Sequence, residues 1–537
     1  MVATVKNLTI KKTISKLIVI LTALGLSVTV YMYNQFPKAS VAAEMSRTFS
    51  GDMFENKPVI FKEKIVHLDL KGAPPSLAYL REFIPFVKNI GATGLLVEYE
   101  DMFPYSGKLG NIPAKNAYSV SDIKELVLLA EKNDLELIPL VQTFGHLEFV
   151  LKLEEYVLLR EVPNWHQVIC PSRNVSKELI FAMLKQVKDL HPKSKRIHIG
   201  SDEVYNFGEC NDCAIKLQKN RWTKMNLFLS HVFDVASYAK TKLGLSPMMW
   251  DDEFRVLTEE DIKASGLGDI VEIVVWQYSR NVLDYLRPDL FVKYSNAFKK
   301  IWAASAFKGA TGADSFLTPV GHHLANHRSW SDLALSYSNQ VHFSGIVLTG
   351  WQRYDHFSVL CELLPVGLPS LTASLILIDN YTLTDIAIVE HAGLVLDCDG
   401  PLVLDVGPFY LSDLVSRCSF PGSDVYSVMQ KLLILKRRYS NMKEIQGLRG
   451  WLSEYNMNHK YSSPAILDRF IGEINSNRID AESIHSEITT SLEKIYDNFT
   501  ITEVIETYLN PVKADIERMW EKRTEISQMN FFPRRPF

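Results

Sequence analysis

Asp202 and Glu203 stand side by side at the end of the run Arg196-Ile-His-Ile-Gly-Ser-Asp-Glu-Val204. An isolated Asp-Glu pair is ordinarily the solvated start of a helix. This one follows a continuous apolar segment, Ile-His-Ile-Gly, which puts it at the end of a buried strand. Chemistry-bearing residues follow seven other short β-branched runs in the same way. Asp69 and Lys71 close the first, Ile65–Leu70, and Glu98, Glu100 and Asp101 the second, Gly94–Tyr99. Gln142 and Phe144-Gly-His146 follow Leu135–Val141, and Trp250-Asp-Asp-Glu253 closes Pro247–Trp250. Trp276-Gln-Tyr278 ends Glu272–Trp276, Ser305 and Phe307-Lys308 follow Lys300–Ala304, and Trp351-Gln-Arg353-Tyr-Asp-His356 ends Gly345–Trp351.

Carboxylates and aromatics converging on one mouth describe a carbohydrate cleft, in which acids carry the chemistry and aromatic faces hold sugar rings. Glycoside hydrolysis usually needs two carboxyl groups about 5 to 9.5 Å apart across the scissile bond. Adjacent residues on an extended chain point to opposite sides, so Asp202 and Glu203 fit that scheme badly. They suit substrate assistance, in which the sugar's own 2-acetamido oxygen attacks the anomeric carbon. Asp202 would then hold the acetamido N–H and stabilise the cation that forms. Glu203 would protonate the leaving oxygen and later activate water. Such an acid must be protonated at working pH, so partial burial and the neighbouring anion should raise the Glu203 pKa.

The elements that must position these groups are legible too. The eight runs fall within about 290 residues, are apolar on both faces as in a covered parallel sheet, and are mostly separated by amphipathic stretches. One is Ser121–Lys132, with Ser119 or Ser121 as cap. This pattern predicts a (β/α)₈ TIM barrel over 61–385, whose active site lies at the C-terminal ends of its strands. A doubly wound sheet would show a Gly-rich phosphate loop after the first strand, and Leu70-Lys-Gly-Ala-Pro-Pro75 is not one. Residues 386–420 are punctuated by Gly, Asp and Pro. Beyond them Val425, Val428, Leu432 and Leu435 recur at helical spacing after a Ser423-Asp424 cap. A mostly helical C-terminal domain is therefore expected over 386–537.

The chain has 537 residues, 47% of them hydrophobic and 22% charged, with a formal net charge of −4. This is a folded, multi-unit composition with no basic block for nucleic acid. Four lysines, Lys6, Lys11, Lys12 and Lys16, precede the uncharged run Leu17–Tyr33. Seventeen such residues are at the short end of what spans a bilayer, and preceding lysines keep a tail cytosolic. Residues 1–33 are thus expected to be a cytosolic tail and membrane anchor, with a signal peptide as the alternative and 34–60 as a stem. The body would be lumenal or extracellular, as in a single-pass type II membrane protein, or secreted. The sequons at Asn174, Asn380 and Asn498 are compatible with that. Cys210-x-x-Cys213 is the one close cysteine pair. With no second such pair and no HxxxH partner it reads as a local disulfide or two thiols rather than a zinc site. No metal or cofactor is expected.

The run His198-Ile-Gly-Ser-Asp202-Glu203 resembles the His-x-Gly-x-Asp-Glu signature of the family 20 β-N-acetylhexosaminidases. Gln142-Thr-Phe-Gly-His146 resembles that family's Pro-Gly-His turn, with Phe144 in place of Pro, and Met248-Met-Trp-Asp-Asp252 its Trp-Asp/Glu motif. Ser305-Ala-Phe-Lys-Gly-Ala310 and Thr349–His356 are closer still to the hexosaminidase D subgroup. The resemblance covers about residues 61–420. It implies a metal-independent, retaining, substrate-assisted enzyme that removes terminal N-acetylgalactosamine or N-acetylglucosamine from glycoconjugates. It also implies His146 as support for the acid, Trp250, Trp276 and Trp351 as walls around the acetamido methyl, and Tyr278 as donor to the acetamido oxygen. Asp69, Glu98 and Arg353 are further substrate-binding candidates at the rim. The arginine that grips sugar hydroxyls in that family is absent, and Leu70-Lys71-Gly72 stands there. The subgroup is described as nucleocytoplasmic and as favouring galactosaminides, and the apolar N-terminal run departs from the first of these. The remaining alternatives are a homodimer as the assembly and a non-catalytic carbohydrate-binding barrel displayed on a membrane. A chitinase-type site would need Asp-x-Asp-x-Glu, which Gly200-Ser-Asp-Glu does not match.

Overall fold

The β-branched runs become eight strands because each can be covered on both faces. In the computed structural model, which describes residues 59–404 and 417–536, they are β1 Glu63–Asp69, β2 Gly94–Glu98, β3 Glu136–Leu140, β4 Arg196–His198, β5 Ser246–Trp250, β6 Glu272–Trp276, β7 Ile301–Lys308 and β8 Phe343–Gly350. All neighbours pair in parallel and β8 returns to β1, closing the barrel. The register sets Asp69 opposite Glu98, Glu98 opposite Leu140 and Leu140 opposite His198, so the strand ends that carry polar groups share one rim.

Helices follow the strands in turn: α1 Leu77–Asn89, α2 Val120–Lys132, α3 Asn174–Leu190, α4 Asn211–Asn220, α5 Lys224–Thr241, α6 Glu259–Ser265, α7 Pro288–Ala297, α8 Val320–Ser336 and α9 Leu364–Asp379. Of the two serines proposed to cap α2, Ser119 does so. Its hydroxyl accepts from the Asp122 N–H while Asp122 accepts from the Ser119 N–H, satisfying two otherwise orphaned donors. The barrel interior is filled by Ile65, Leu96, Ile138, Leu140, Met248, Trp250, Val274, Trp302, Ala304 and Val347. Trp276 and Trp351 pack on top of this plug, half exposed to the mouth.

α9 is apolar all round and buried from Leu364 to Ile378. A helix of that kind must be covered on every side. The barrel (through β7) and α8 cover one side. The other is covered by α10 Asp385–Val395 and α11 Ser423–Ser440. α12 Pro464–Leu492, α13 Asn498–Val504 and α14 Asn510–Ser527 complete the helical region. Two local expectations are corrected. The start of the punctuated stretch, Asp385–Val395, is helix: the Thr384 hydroxyl accepts from the Ala387 N–H at its start, and Gly393 permits close approach of the Gly400 carbonyl. The cap of α11 is Gly422 rather than Ser423-Asp424, its φ of +81° allowing a reversal that an L-residue resists. Cys210 and Cys213 are free thiols rather than a local disulfide, and Cys398 is bonded to Cys418. The expected anchor at 17–33 lies outside the described residues. Among the described residues no helix is long and apolar enough to cross a membrane.

Candidate active site

A cavity of about 650 Å³ opens at the strand-end rim, large enough for a sugar ring and part of its aglycone. Asp202, Glu203, His146, Trp250, Trp276, Tyr278, Trp351 and Arg353 all line it. Eight of the ten residues expected there therefore meet in one place. Asp69 and Glu98 do not line it; they are buried beneath the floor.

The two acids are brought in by a strained turn. Gly200, Ser201 and Glu203 have φ of +61°, +67° and +47°, a region costly for the two non-glycines. Gly200 is required, since a Cβ there would lie 1.9 Å from Gln142 Oε1. What holds the strain is a set of bonds from the next strand end. The Glu203 N–H donates to Asp252 Oδ2 at 2.8 Å, and the Val204 N–H to Glu253 Oε1 at 3.1 Å. Asp252 is fixed in turn by Trp276 Nε1–H at 3.1 Å. His146 also sits at positive φ (+49°). Its neighbour Gly145 permits the approach, for a Cβ there would meet the Asp202 carbonyl at 2.4 Å.

His146 is the hinge of the electrostatics. Its Nε2 lies 3.2 Å from Glu203 Oε2 and 3.5 Å from Asp202 Oδ2. Burial would lower its pKa, but the Asp202 charge and the bond to Glu203 outweigh this and raise it to about 10. The bond to protonated His146 holds the Glu203 carboxyl below the usual glutamate range, although burial pulls the other way. Asp202 is pushed up to about 7, first by burial and then by the Asp252, Glu98 and Glu203 charges, despite His146. This corrects the expectation of a raised Glu203. In the open site Glu203 keeps 37% of its side chain exposed beside a cation, while Asp202 is enclosed among anions.

Of the lining residues not singled out from sequence, two act directly on the floor and the acid pair. Gln142 donates through Nε2 to Asp202 Oδ1 at 3.2 Å, fixing the plane of that carboxylate. Lys71, where the family arginine is missing, brings a buried cation into the floor. Its Nζ lies 3.1 Å from Asp69, 3.2 Å from Glu98 and 3.8 Å from Glu100, and 5.1 Å from the Trp351 ring centre. Burial disfavours that charge, but the three carboxylates more than offset it and keep Lys71 protonated. Asp69 and Glu98 are thus anions that support Lys71. The signal for Lys71 was in the sequence, as a strand-end cation between acids. Arg353 lines the cavity with four of its five N–H donors already occupied. They go to the Lys71 carbonyl, the Ser358 carbonyl and both oxygens of Glu503 on α13, the latter at 2.6 and 2.5 Å.

The aromatic wall is continuous. Trp276 stacks on Tyr278 with centroids 5.3 Å apart, Tyr278 meets Trp351 edge-on at 6.4 Å, and Trp351 lies 5.9 Å from Trp250. Barrel, acid pair and aromatic wall together define a glycoside hydrolase.

Comparison with known proteins narrows this class. The catalytic-domain model of glycosyl hydrolase family 20 matches residues 91–288. Human hexosaminidase D (Homo sapiens) is 39% identical over 485 residues, 89% of this chain and 97% of the relative. Bovine hexosaminidase D (Bos taurus) is 49% identical over 314 residues, 58% of this chain and 90% of the relative. A β-N-acetylhexosaminidase from Bacteroides fragilis superposes over 59% of this chain and 66% of its own at 16% identity and a TM-score of 0.43, too distant for comparing the sites. The chain belongs to glycosyl hydrolase family 20, in its hexosaminidase D group, and is a β-N-acetylhexosaminidase.

Proposed function

We propose that the enzyme releases terminal β-linked N-acetylhexosamine by substrate assistance, with Asp202 orienting the acetamido group and Glu203 as general acid and base. The observation that carries this reading is the shared contact of both acids with His146 at the head of an aromatic pocket. Trp250, Trp276 and Trp351 would enclose the acetamido methyl. Tyr278 would donate to its oxygen as negative charge moves off it towards the anomeric carbon. A bound acetamido N–H donating to Asp202 favours the carboxylate form, moving its pKa down from about 7. The sugar and aglycone also cover Glu203 and remove its water, which favours the neutral acid. The proton then passes from His146 Nε2 to Glu203 Oε2 across 3.2 Å, and from Glu203 to the leaving oxygen. Water activated by the resulting Glu203 carboxylate opens the oxazolinium ring with net retention.

Two cations in the lining are candidates for the sugar hydroxyls, Lys71 in the place of the family arginine and the exposed Arg280. Arg353 serves this reading by fixing the rim loop to α13. Hydrolysis of aryl β-N-acetylgalactosaminide and aryl β-N-acetylglucosaminide tests the reading and gives the sugar preference. The expected result is turnover of at least one, with inhibition by a thiazoline analogue of the oxazolinium ion. Folded protein that turns over neither is a carbohydrate-binding barrel instead.

For residues 17–33 the reading is a membrane anchor with the catalytic body on the far side, supported by the uncharged run and the four lysines before it. Protease treatment of intact membranes should leave the body protected. Digestion of the body overturns this topology in favour of a nucleocytoplasmic enzyme.

A further inference from the structure

Beside the active site, three cysteines and a carboxylate from two different loops point at one another. Glu161 and Cys170 come from the segment between β3 and α3, and Cys210 and Cys213 from the start of α4. One ligand atom from each lies within 4.8 Å of all the others. Cys170 Sγ is 3.3 Å from Cys210 Sγ and 3.6 Å from Cys213 Sγ, and Cys213 Sγ is 3.3 Å from Glu161 Oε2. Ligands at about 2.3 Å (thiolate) and about 2.1 Å (carboxylate) around a tetrahedral ion lie roughly 3.5–3.8 Å apart, so shifts of a few tenths of an ångström in these pairs accommodate one.

We propose that Glu161, Cys170, Cys210 and Cys213 bind a structural zinc ion that staples the loop carrying His146 to the loop carrying Glu203. Four features favour this over a buried thiol cluster. Three cysteines cannot all pair, so any one disulfide leaves an odd thiol against a buried carboxylate. The Cys213 N–H donates to Cys210 Sγ at 3.4 Å, a bond that a thiolate accepts well. Glu161 is oriented from behind, its Oε1 accepting the Glu209 and Cys210 N–H groups at 2.5 and 2.8 Å, which leaves Oε2 facing the sulfurs. The excess negative charge of three thiolates and a carboxylate around a dication is answered by Arg173 and Lys216, both within electrostatic reach. Borderline-soft zinc suits that mixed sulfur–oxygen set, and four protein ligands leave no open position, as in a structural site. The cysteine spacing argued against zinc because only two ligands are local. The other two are brought in by the fold, Cys170 standing 40 residues before Cys210.

The position gives the ion a purpose. The turn that begins at Gly200 runs through Asp202, Glu203 and Glu209 into Cys210, and the Glu203 carbonyl also accepts from Gln167 Nε2 at 3.1 Å. Fixing both loops at one point limits the freedom of the strained acid pair.

The test is elemental analysis of the full chain, purified under reducing conditions without added metal. About one zinc per chain is expected. It should be released by an organomercurial, which caps thiolates, and detected with a chromophoric chelator. Cys213→Ser should lose the zinc, whereas Cys361→Ser, a buried thiol elsewhere, should keep it. Should Cys213→Ser fail to fold, cobalt(II) replacement in the wild-type chain decides. Thiolate-to-cobalt charge transfer with tetrahedral d–d bands supports the site, and a six-coordinate aqua spectrum overturns it. The proposal is also overturned by zinc-free folded protein, whether its thiols are free, hold another metal, or form a Cys170–Cys210 disulfide on peptide mapping.

Discussion

Asp202→Asn isolates the charge that the proposed mechanism needs. Asn keeps the size and can still accept from the acetamido N–H, so ground-state binding should change little. What is lost is the anion facing an oxazolinium cation inside a water-poor pocket. A preorganised transition-state contact of this kind contributes about 3–4 kcal/mol, so kcat should fall roughly 10²- to 10³-fold with KM within a few-fold. The pH profile gives a second, independent readout. Asp202 must be ionised to work, and burial raises its pKa to about 7. In the wild type, kcat/KM should therefore fall tenfold per pH unit as pH drops below about 7, and this limb should be absent in the variant. Asp202 is also the largest influence raising His146, so the alkaline limb should move to lower pH. Because burial penalises the Asp202 charge, the substitution should leave the melting temperature unchanged or raise it. The assay is steady-state hydrolysis of an aryl N-acetylhexosaminide from pH 4 to 10, with melting curves alongside. An Asp202→Asn enzyme that keeps the acid limb at its wild-type midpoint, or whose kcat is within a few-fold of wild type, refutes the assignment.

Glu203→Gln should cost about 10²- to 10⁴-fold in kcat on alkyl glycosides and much less on dinitrophenyl glycosides, whose leaving group needs no proton; equal losses on both would remove Glu203 from the acid role. Tyr278→Phe should lower kcat about 10- to 10²-fold, less than loss of a full oxyanion contact, with the fold intact by circular dichroism; unchanged kinetics would move the acetamido donor elsewhere. Glu503→Ala leaves the Arg353 fork without its half-buried partner and should destabilise the chain by about 1.5–3 kcal/mol, raising KM as the rim loop loosens; a melting temperature equal to wild type would show that the clamp is unimportant. Three buried histidines should destabilise the fold in mild acid. His191, His231 and His327 are buried neutral, burial lowering each pKa from 6.5 to about 4. The unfolded chain therefore binds more protons between those values, and stability complete above pH 6.5 is lost as pH falls towards 4. At pH 5 the loss is about 2 kcal/mol per histidine, and a melting temperature flat from pH 7 to 5 would contradict this.

What could be read from the sequence follows from how local the causes are. Strands β1–β8 were legible because a strand covered on both faces is mostly apolar, and that pattern sits within three to eight residues. The acid pair was legible for the same reason, its meaning fixed by the four residues before it. The charge states of that pair were not. They depend on His146, about sixty residues away, whose single nitrogen reaches both carboxylates. Arg353 looked like a hydroxyl grip because its partner Glu503 is 150 residues further on, and a fork-shaped donor reads the same whether its carboxylate or a sugar will fill it. Asp69 and Glu98 looked like substrate contacts because strand-end position fixes the rim a residue occupies but not its depth below it. Lys71 turns both into supports. A cation needs three buried anions to remain charged there, and those anions then need the cation. The floor of the pocket is therefore one coupled object. Of the four charged residues that the sequence displays there, Lys71 is the one that lines the cavity.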